Sequence, residues 1–249
     1  MGRGLTKVMV MGDPHAHPRY DNDRFEVLGA HARQIGADHV HCVGDWTDFP
    51  SLNEHRSARD QRPDMFHEDV EAGNDALLRF DEGLDGHPCE KSITLGNHDA
   101  YPDKWVGSNP KFEGVVSSEA VLFPDHGWGT TAYLEARKVR GLWCSHFMPS
   151  GATGRPQGGI HVAYHNAMKQ GMNCLVGHNH RFDHKVRTLG DGAKIHSFSA
   201  GCLNHPRYAE QWCANTRHTW DRGVLVVDTR RGRVCSFSWT CYDDIRRGL

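Results

Sequence analysis

At 249 residues, with 38% hydrophobic and 24% charged side chains, the chain has the composition of one sizeable folded domain and not of a disordered or fibrous protein. A formal net charge of −2 excludes a global basic field that would draw it to nucleic acid or an anionic membrane, and no apolar run approaches the roughly 18 residues a membrane helix needs. The eight cysteines form no C-x-x-C pair, which argues against zinc-ribbon and thioredoxin-type sites; with no signal peptide they are expected as free thiols of a cytoplasmic protein.

KVMVMGD (7–13) is an apolar run ending in Gly-Asp and reads as a buried strand. Residues 23–36 carry Phe25, Leu28, Ala32 and Ile35 at helical spacing, with Gly36 as the stop. HVHCVGD (39–45) is a second strand with the same Gly-Asp ending, followed by a polar stretch and a helix near 66–83. KSITLGNHD (91–99) is a third strand, and residues 100–130, rich in Gly, Pro and Asn, are expected to loop over the surface. Two strands are expected in 131–146, the second ending at Ser145-His146, then a Gly-rich loop (148–159), a helix at 160–171 and the strand of NCLVGHNH (173–180). HKVRTL, AKIHSFSAG, GVLVVDT and RVCSFSW read as strands of a second sheet. Strands alternating with helices, then mostly strands, without repeat or linker, predict a single α/β domain over residues 1–249.

Nineteen histidines are the compositional outlier, and they fall in groups: DPHAH, DHVHC, GNHD, CSH and GHNH. Most of these groups stand directly behind an apolar strand, where open α/β sheets build their sites. The polar residues at five strand ends are Asp13 and His15; Asp45 and Asp48; Asn97, His98 and Asp99; His146; and His178 and His180. Carboxylates mixed with imidazoles and no thiolate suit a catalytic divalent ion, not a structural zinc. Asp13, His15, Asp45, Asn97, His146, His178 and His180 make seven ligands, too many for one tetrahedral ion and right for two ions sharing a carboxylate. Two ions about 3.5–4 Å apart form the clamp used for in-line displacement at phosphorus.

DPH (13–15), GDWTD (44–48), GNHD (96–99), SH (145–146) and GHNH (177–180), in this order and at these spacings, resemble the calcineurin-like metallophosphoesterases. The motifs span about two-thirds of the chain, and the segment after GDWTD is most similar to small phage-encoded members. The resemblance implies a two-sheet β-sandwich flanked by helices in four layers. It implies one ion on Asp13, His15 and His180, a second on Asn97, His146 and His178, and Asp45 bridging them. It makes His98 the catalytic histidine that protonates the leaving alkoxide, with Asp48 orienting it by accepting its other ring N–H. The implied cofactors are two divalent ions, manganese first, with iron, zinc, nickel or magnesium as alternatives.

The implied activity is hydrolysis of a phosphoester, with a nucleic-acid or nucleotide phosphodiester favoured and a phosphomonoester as the alternative; a metal-binding scaffold without catalysis is the reading from another class. Protein serine/threonine phosphatases carry Arg-Gly where this chain has Phe49-Pro50, which argues against a phosphoprotein substrate. No sequence signal identifies the substrate-binding residues, although Arg56, Arg59, Arg62 and Arg155 stand in the two least patterned segments. No membrane partner is expected. Other residues have plainer readings: His17 as a loop histidine outside the metal shell, His39 and His41 as core or surface residues, His161 and His165 as helix packing, His184 as exposed, and Asp99 equally a site residue or a solvated carboxylate.

Overall fold

The computed structural model describes residues 4–53, 65–208, 213 and 215–249. In chain order its main elements are β1 (Thr6–Met11), α1 (Asp23–Gln34), β2 (His39–Cys42), α2 (Phe66–Leu84), β3 (Glu90–Thr94), α3 (Tyr101–Ser108), β4 (Trp128–Thr131), β5 (Arg137–Val139), β6 (Leu142–Cys144), β7 (Pro149–Ser150), β8 (Arg155–Pro156), α4 (Val162–Gln170), β9 (Cys174–Val176), β10 (Phe182–Thr188), β11 (Lys194–Ala200), β12 (Gly223–Arg230), β13 (Arg233–Cys241) and α5 (Tyr242–Gly248). A six-stranded sheet runs β13-β12-β1-β2-β3-β4 and a five-stranded sheet runs β10-β11-β9-β6-β5, with β7 and β8 forming a separate small hairpin.

Strand periodicity explains the layers. In β1, Val8 and Val10 point into the space between the sheets, where they meet Val43, Leu142, Leu175 and Phe198. Met9 and Met11 point the other way, onto Phe25, Leu28, Leu77 and Phe80 of α1 and α2. On the far side Val162 of α4 packs over Cys174 and Val176 of β9. The result is a mixed α/β protein of two main sheets flanked by helices.

The sequence reading placed all four late strands in the second sheet. β10 and β11 are there, but β12 and β13 complete the first, β12 lying antiparallel beside β1 with Val8 opposite Val227 and Val10 opposite Leu225. GVLVVDT is apolar on both faces because it is an interior strand: Val224 and Val226 face the helices, Leu225 and Val227 the second sheet. Residues 100–130 also differ from expectation. Pro102 opens the short helix α3, and Trp128–Thr131 pairs in parallel with β3 as the sheet edge.

β1, β2 and β3 run parallel in one sheet, as do β6 and β9 in the other, so the loops that follow them meet at one end of the sandwich. Those loops are stitched together: the His15 amide donates to Asp45 O at 2.9 Å and the Gly177 amide to His146 O at 2.9 Å. All eight cysteines are free thiols. No helix among the described residues is long and apolar enough to cross a membrane.

Candidate metal centre

The seven ligand candidates converge, and they do so in two groups. His146 Nε2 lies 2.9 Å from Asn97 Oδ1, 3.1 Å from His178 Nδ1 and 3.3 Å from Asp45 Oδ2. His15 Nε2 lies 3.3 Å from His180 Nε2 and 3.8 Å from Asp45 Oδ2, and His180 Nε2 is 3.3 Å from Asp13 Oδ2. Asp45 Oδ2 belongs to both groups. Ligands about 2.0–2.2 Å from a shared ion stand roughly 3–3.5 Å apart, so these spacings are those of coordination edges. Asp13 Oδ1 also approaches His146 Nδ1 at 3.8 Å, but that nitrogen donates to Val43 O at 2.8 Å and is committed.

Hydrogen bonding alone does not account for such contacts. With Nδ1 of His146 engaged, a proton on its Nε2 could bridge to one neighbour, while three acceptor atoms crowd around it. His15 is fixed in the same way, its Nδ1 donating to Asp48 Oδ1 at 2.7 Å so that Nε2 is the atom presented to His180. Asp13 is fully buried, its carboxylate facing His180 Nε2 at 3.3 Å and the backbone amide of His178. A carboxylate this deeply buried among imidazole nitrogens can ionise there at low cost only with a cation beside it. Three groups of side chains (Asp13, Asp45 and His146; His15, Asp45 and His180; His15, Asp48 and His98) are close enough to hold a metal ion.

The buried carboxylates and imidazoles set one another's charge. Burial pushes the Asp13 carboxyl well above the usual range, with Asp45 adding to the effect against the pull of His146. Burial also opposes charge on Asp45 and Asp48, yet His146 and His98 hold the first low, and His15 and His98 the second. Burial disfavours charged His146 and His98 as well, but Asp45 and the neighbouring carboxylates raise them to about 9 and about 10. His178 and His180, buried beside other imidazoles, are shifted down, as metal-binding neutral rings require.

The backbone is strained at these residues. Asp13, His15, Asp45, His178 and His180 have φ of 38°, 47°, 52°, 72° and 56°, all in the left-handed region that costs an L-residue about 1 kcal/mol or more. Five of the seven ligand candidates therefore hold conformations that their own stability disfavours, the pattern of strain stored at a functional site. Two glycines permit the close approach. A Cβ on Gly96 would collide with the Asp45 carboxylate, and one on Gly177 with that of Asp13.

The structure keeps some of the remaining assignments and changes others. Asp48 does reach His98 Nδ1 with Oδ1 at 3.1 Å, but its backbone carbonyl, turned by the left-handed Phe49, accepts from that nitrogen at 2.8 Å, and the shortest carboxylate contact is to His15. Asp99 is no solvated carboxylate. It is buried and accepts from the amides of Gly96, Trp46 and Thr47, binding the second and third motif loops together. His17 is outside the three groups but fully buried, its Nε2 3.6 Å from Asp48 Oδ2. His39 and His41 are buried between the sheets and share the Ser92 hydroxyl. His184 is half-buried, stacked against Phe198 and His196. His161 precedes α4 and accepts the His165 amide, so the pair is local helix structure. His178 and His180 do not extend the strand: the chain turns at both, which sends each ring to a different group.

A cavity of about 370 Å3 opens over the centre, lined by Asp45, Asn53, Asn97, His98, Tyr101, His178 and His180. Asn53 and Tyr101 were missed from sequence, since neither falls in a motif. Tyr101 packs on His98, Phe147 on His178, Trp220 on His180 and Tyr208 on His15, with ring centroids 4.7, 5.4, 4.2 and 5.5 Å apart, so each of these imidazoles is wedged by an aromatic ring. The Gly-rich loop, with Arg155 on β8, contributes nothing to this lining, and Arg56, Arg59 and Arg62 lie outside the described residues. Arg24, also missed, is buried and donates to the carbonyls of Pro14, His15, Asp21 and Leu203, clamping the DPH loop from behind.

No family model matches the chain. It is 26% identical over 231 residues to the Gene 54 protein of Mycobacterium phage L5, covering 89% of each chain. It is 24% identical over 232 residues to the Gene 54 protein of Mycobacterium phage D29, again covering 89% of each. The similarity thus extends over nearly the whole length of these phage proteins, whose names state no activity.

Proposed function

We propose that this chain is a calcineurin-like metallophosphoesterase that hydrolyses a phosphodiester, with a nucleic-acid or nucleotide linkage as the favoured substrate. The observation that carries this reading is the sharing of Asp45 Oδ2 between two groups of converging ligand atoms. Asp13, His15 and His180 would hold one divalent ion, Asn97, His146 and His178 the other, and Asp45 both. Manganese is the first expectation. Bound there, such ions supply neutralisation of the phosphoryl oxygens and a nucleophile at neutral pH.

The chain's own residues do the rest. Asp48, through its backbone carbonyl and carboxylate, holds His98 Nδ1 and leaves Nε2 toward the cavity. The neighbouring carboxylates keep His98 protonated. As the P–O bond breaks, that proton passes to the departing alkoxide oxygen, leaving a neutral imidazole and an alcohol. Asn53 and Tyr101, at the cavity wall, are placed to touch the ester substituents.

Metal-stripped protein given Mn²⁺ and bis-p-nitrophenyl phosphate should release p-nitrophenol, and a chelator should stop it. No metal-dependent release sinks the enzyme reading and leaves a metal-binding scaffold. A strong preference for p-nitrophenyl phosphate replaces the diesterase with a phosphomonoesterase.

A further inference from the structure

The connection from β11 to β12 carries none of the five motifs, yet it touches Asp13, His15 and His180 of one group, directly or through their backbone. The Leu203 amide donates to the carbonyl of Asp13 at 3.2 Å, and the Asp221 amide to the carbonyl of His180 at 2.9 Å. Tyr208, with no solvent exposure, donates its hydroxyl to Asp48 Oδ1 at 2.9 Å, the same oxygen that accepts from His15 Nδ1, and its ring lies against that of His15. Trp220, on the same connection, packs edge-on to His180. Among the described residues no hydrogen bond joins this connection to Asn97, His146 or His178.

We propose that Tyr208 is a positioning residue for one ion alone: by fixing the Asp48 carboxylate that aims His15, it sets the affinity of the Asp13–His15–His180 half of the centre and leaves the Asn97–His146–His178 half untouched. The proposal rests on the two-ion reading above. The physical reason is that a ligand histidine keeps its orientation and basicity through the partner of its other ring nitrogen. Asp48 is a good partner only while its own oxygen is held, and the Tyr208 hydroxyl holds that oxygen.

The test is Tyr208→Phe, which keeps the buried ring and removes only the hydroxyl, beside Tyr133→Phe as a control on the other flank of the site, where the Tyr133 ring lies 6.0 Å from that of Phe147. Metal-stripped full-length protein is titrated with Mn²⁺ by calorimetry, with free Mn²⁺ followed by electron paramagnetic resonance. Circular dichroism melts of the stripped variants check folding. Wild type is expected to take up two equivalents. Tyr208→Phe is expected to bind one equivalent as wild type does and the other about 10–100-fold more weakly, with Tyr133→Phe unchanged. Two equivalents bound by Tyr208→Phe with wild-type affinities overturn the proposal, as does equal weakening of both. Fewer than two equivalents in wild type overturn the two-ion reading itself.

Discussion

His146 Nδ1 donates to the carbonyl oxygen of Val43 at 2.8 Å, joining a residue that follows β6 in one sheet to a residue that follows β2 in the other. The bond fixes the ring so that Nε2 faces Asn97, His178 and Asp45. Replacing His146 by Ala should take bound Mn²⁺ from two equivalents to one and lower diester turnover by at least about 100-fold. Metal analysis after desalting checks it, and two equivalents retained would remove His146 from the ligand set.

His98 is expected to behave differently, because its Nδ1 is tied to Asp48 and its proposed role is proton donation. His98→Ala should cut kcat by about 10²–10⁴-fold while both ions stay bound. Metal content falling in step with activity would instead make His98 a ligand.

Asp13 gives a stability test. Its folded pKa is raised by burial and by Asp45 against the pull of His146, so the metal-free fold favours the neutral form; this contribution is fully present below the unfolded pKa near 4 and is lost as pH rises above it towards the folded pKa. In chelator at pH 7.5, Asp13→Asn should melt higher than wild type, at about 2–4 °C for each kcal/mol relieved. With saturating Mn²⁺ the order should reverse. A variant that melts lower in both conditions would show Asp13 to be a packing residue.

Asp69 carries the pH prediction. It is buried in α2 and accepts the Ser51 amide at 3.0 Å, anchoring the turn that leads to Asn53 at the cavity. Burial raises its carboxyl to about 7. Between pH 4 and 7 the folded state keeps a proton that the unfolded state has lost, so this group's contribution is fully present below about pH 4 and is lost as pH rises through 7. Asp69→Asn keeps an acceptor for Ser51 and abolishes the titration. Denaturant melts should show the variant gaining on wild type by up to a few kcal/mol from pH 5 to pH 8. Parallel curves across that range would refute the shift.

The ligand set was legible because each member directly follows an apolar strand, and strand ends are where a parallel sheet delivers side chains. Sheet membership was not. Periodicity reports that β12 is buried on both faces but not that β1 is its neighbour, which took the sequence-distant pairing of Val8 with Val227 to establish. The supports of the site were hidden for the same reason. Tyr208 lies 160 positions from Asp48, and Arg24 179 from Leu203, so nothing local marks either contact. An extended spacing was expected to send His178 and His180 to different groups; they lack that spacing, and their rings part because the chain turns at both.

The five left-handed ligand candidates make the mutational neighbourhood of this chain lopsided. At Asp13, His15, Asp45, His178 and His180 the backbone favours glycine, while the proposed metal chemistry favours the side chains present. A descendant released from the need to bind ions gains stability by drifting to glycine at these positions. Loss of function in this lineage would therefore leave a signature: glycine accumulating at those five places, while Val8, Phe25 and Leu175 stay apolar.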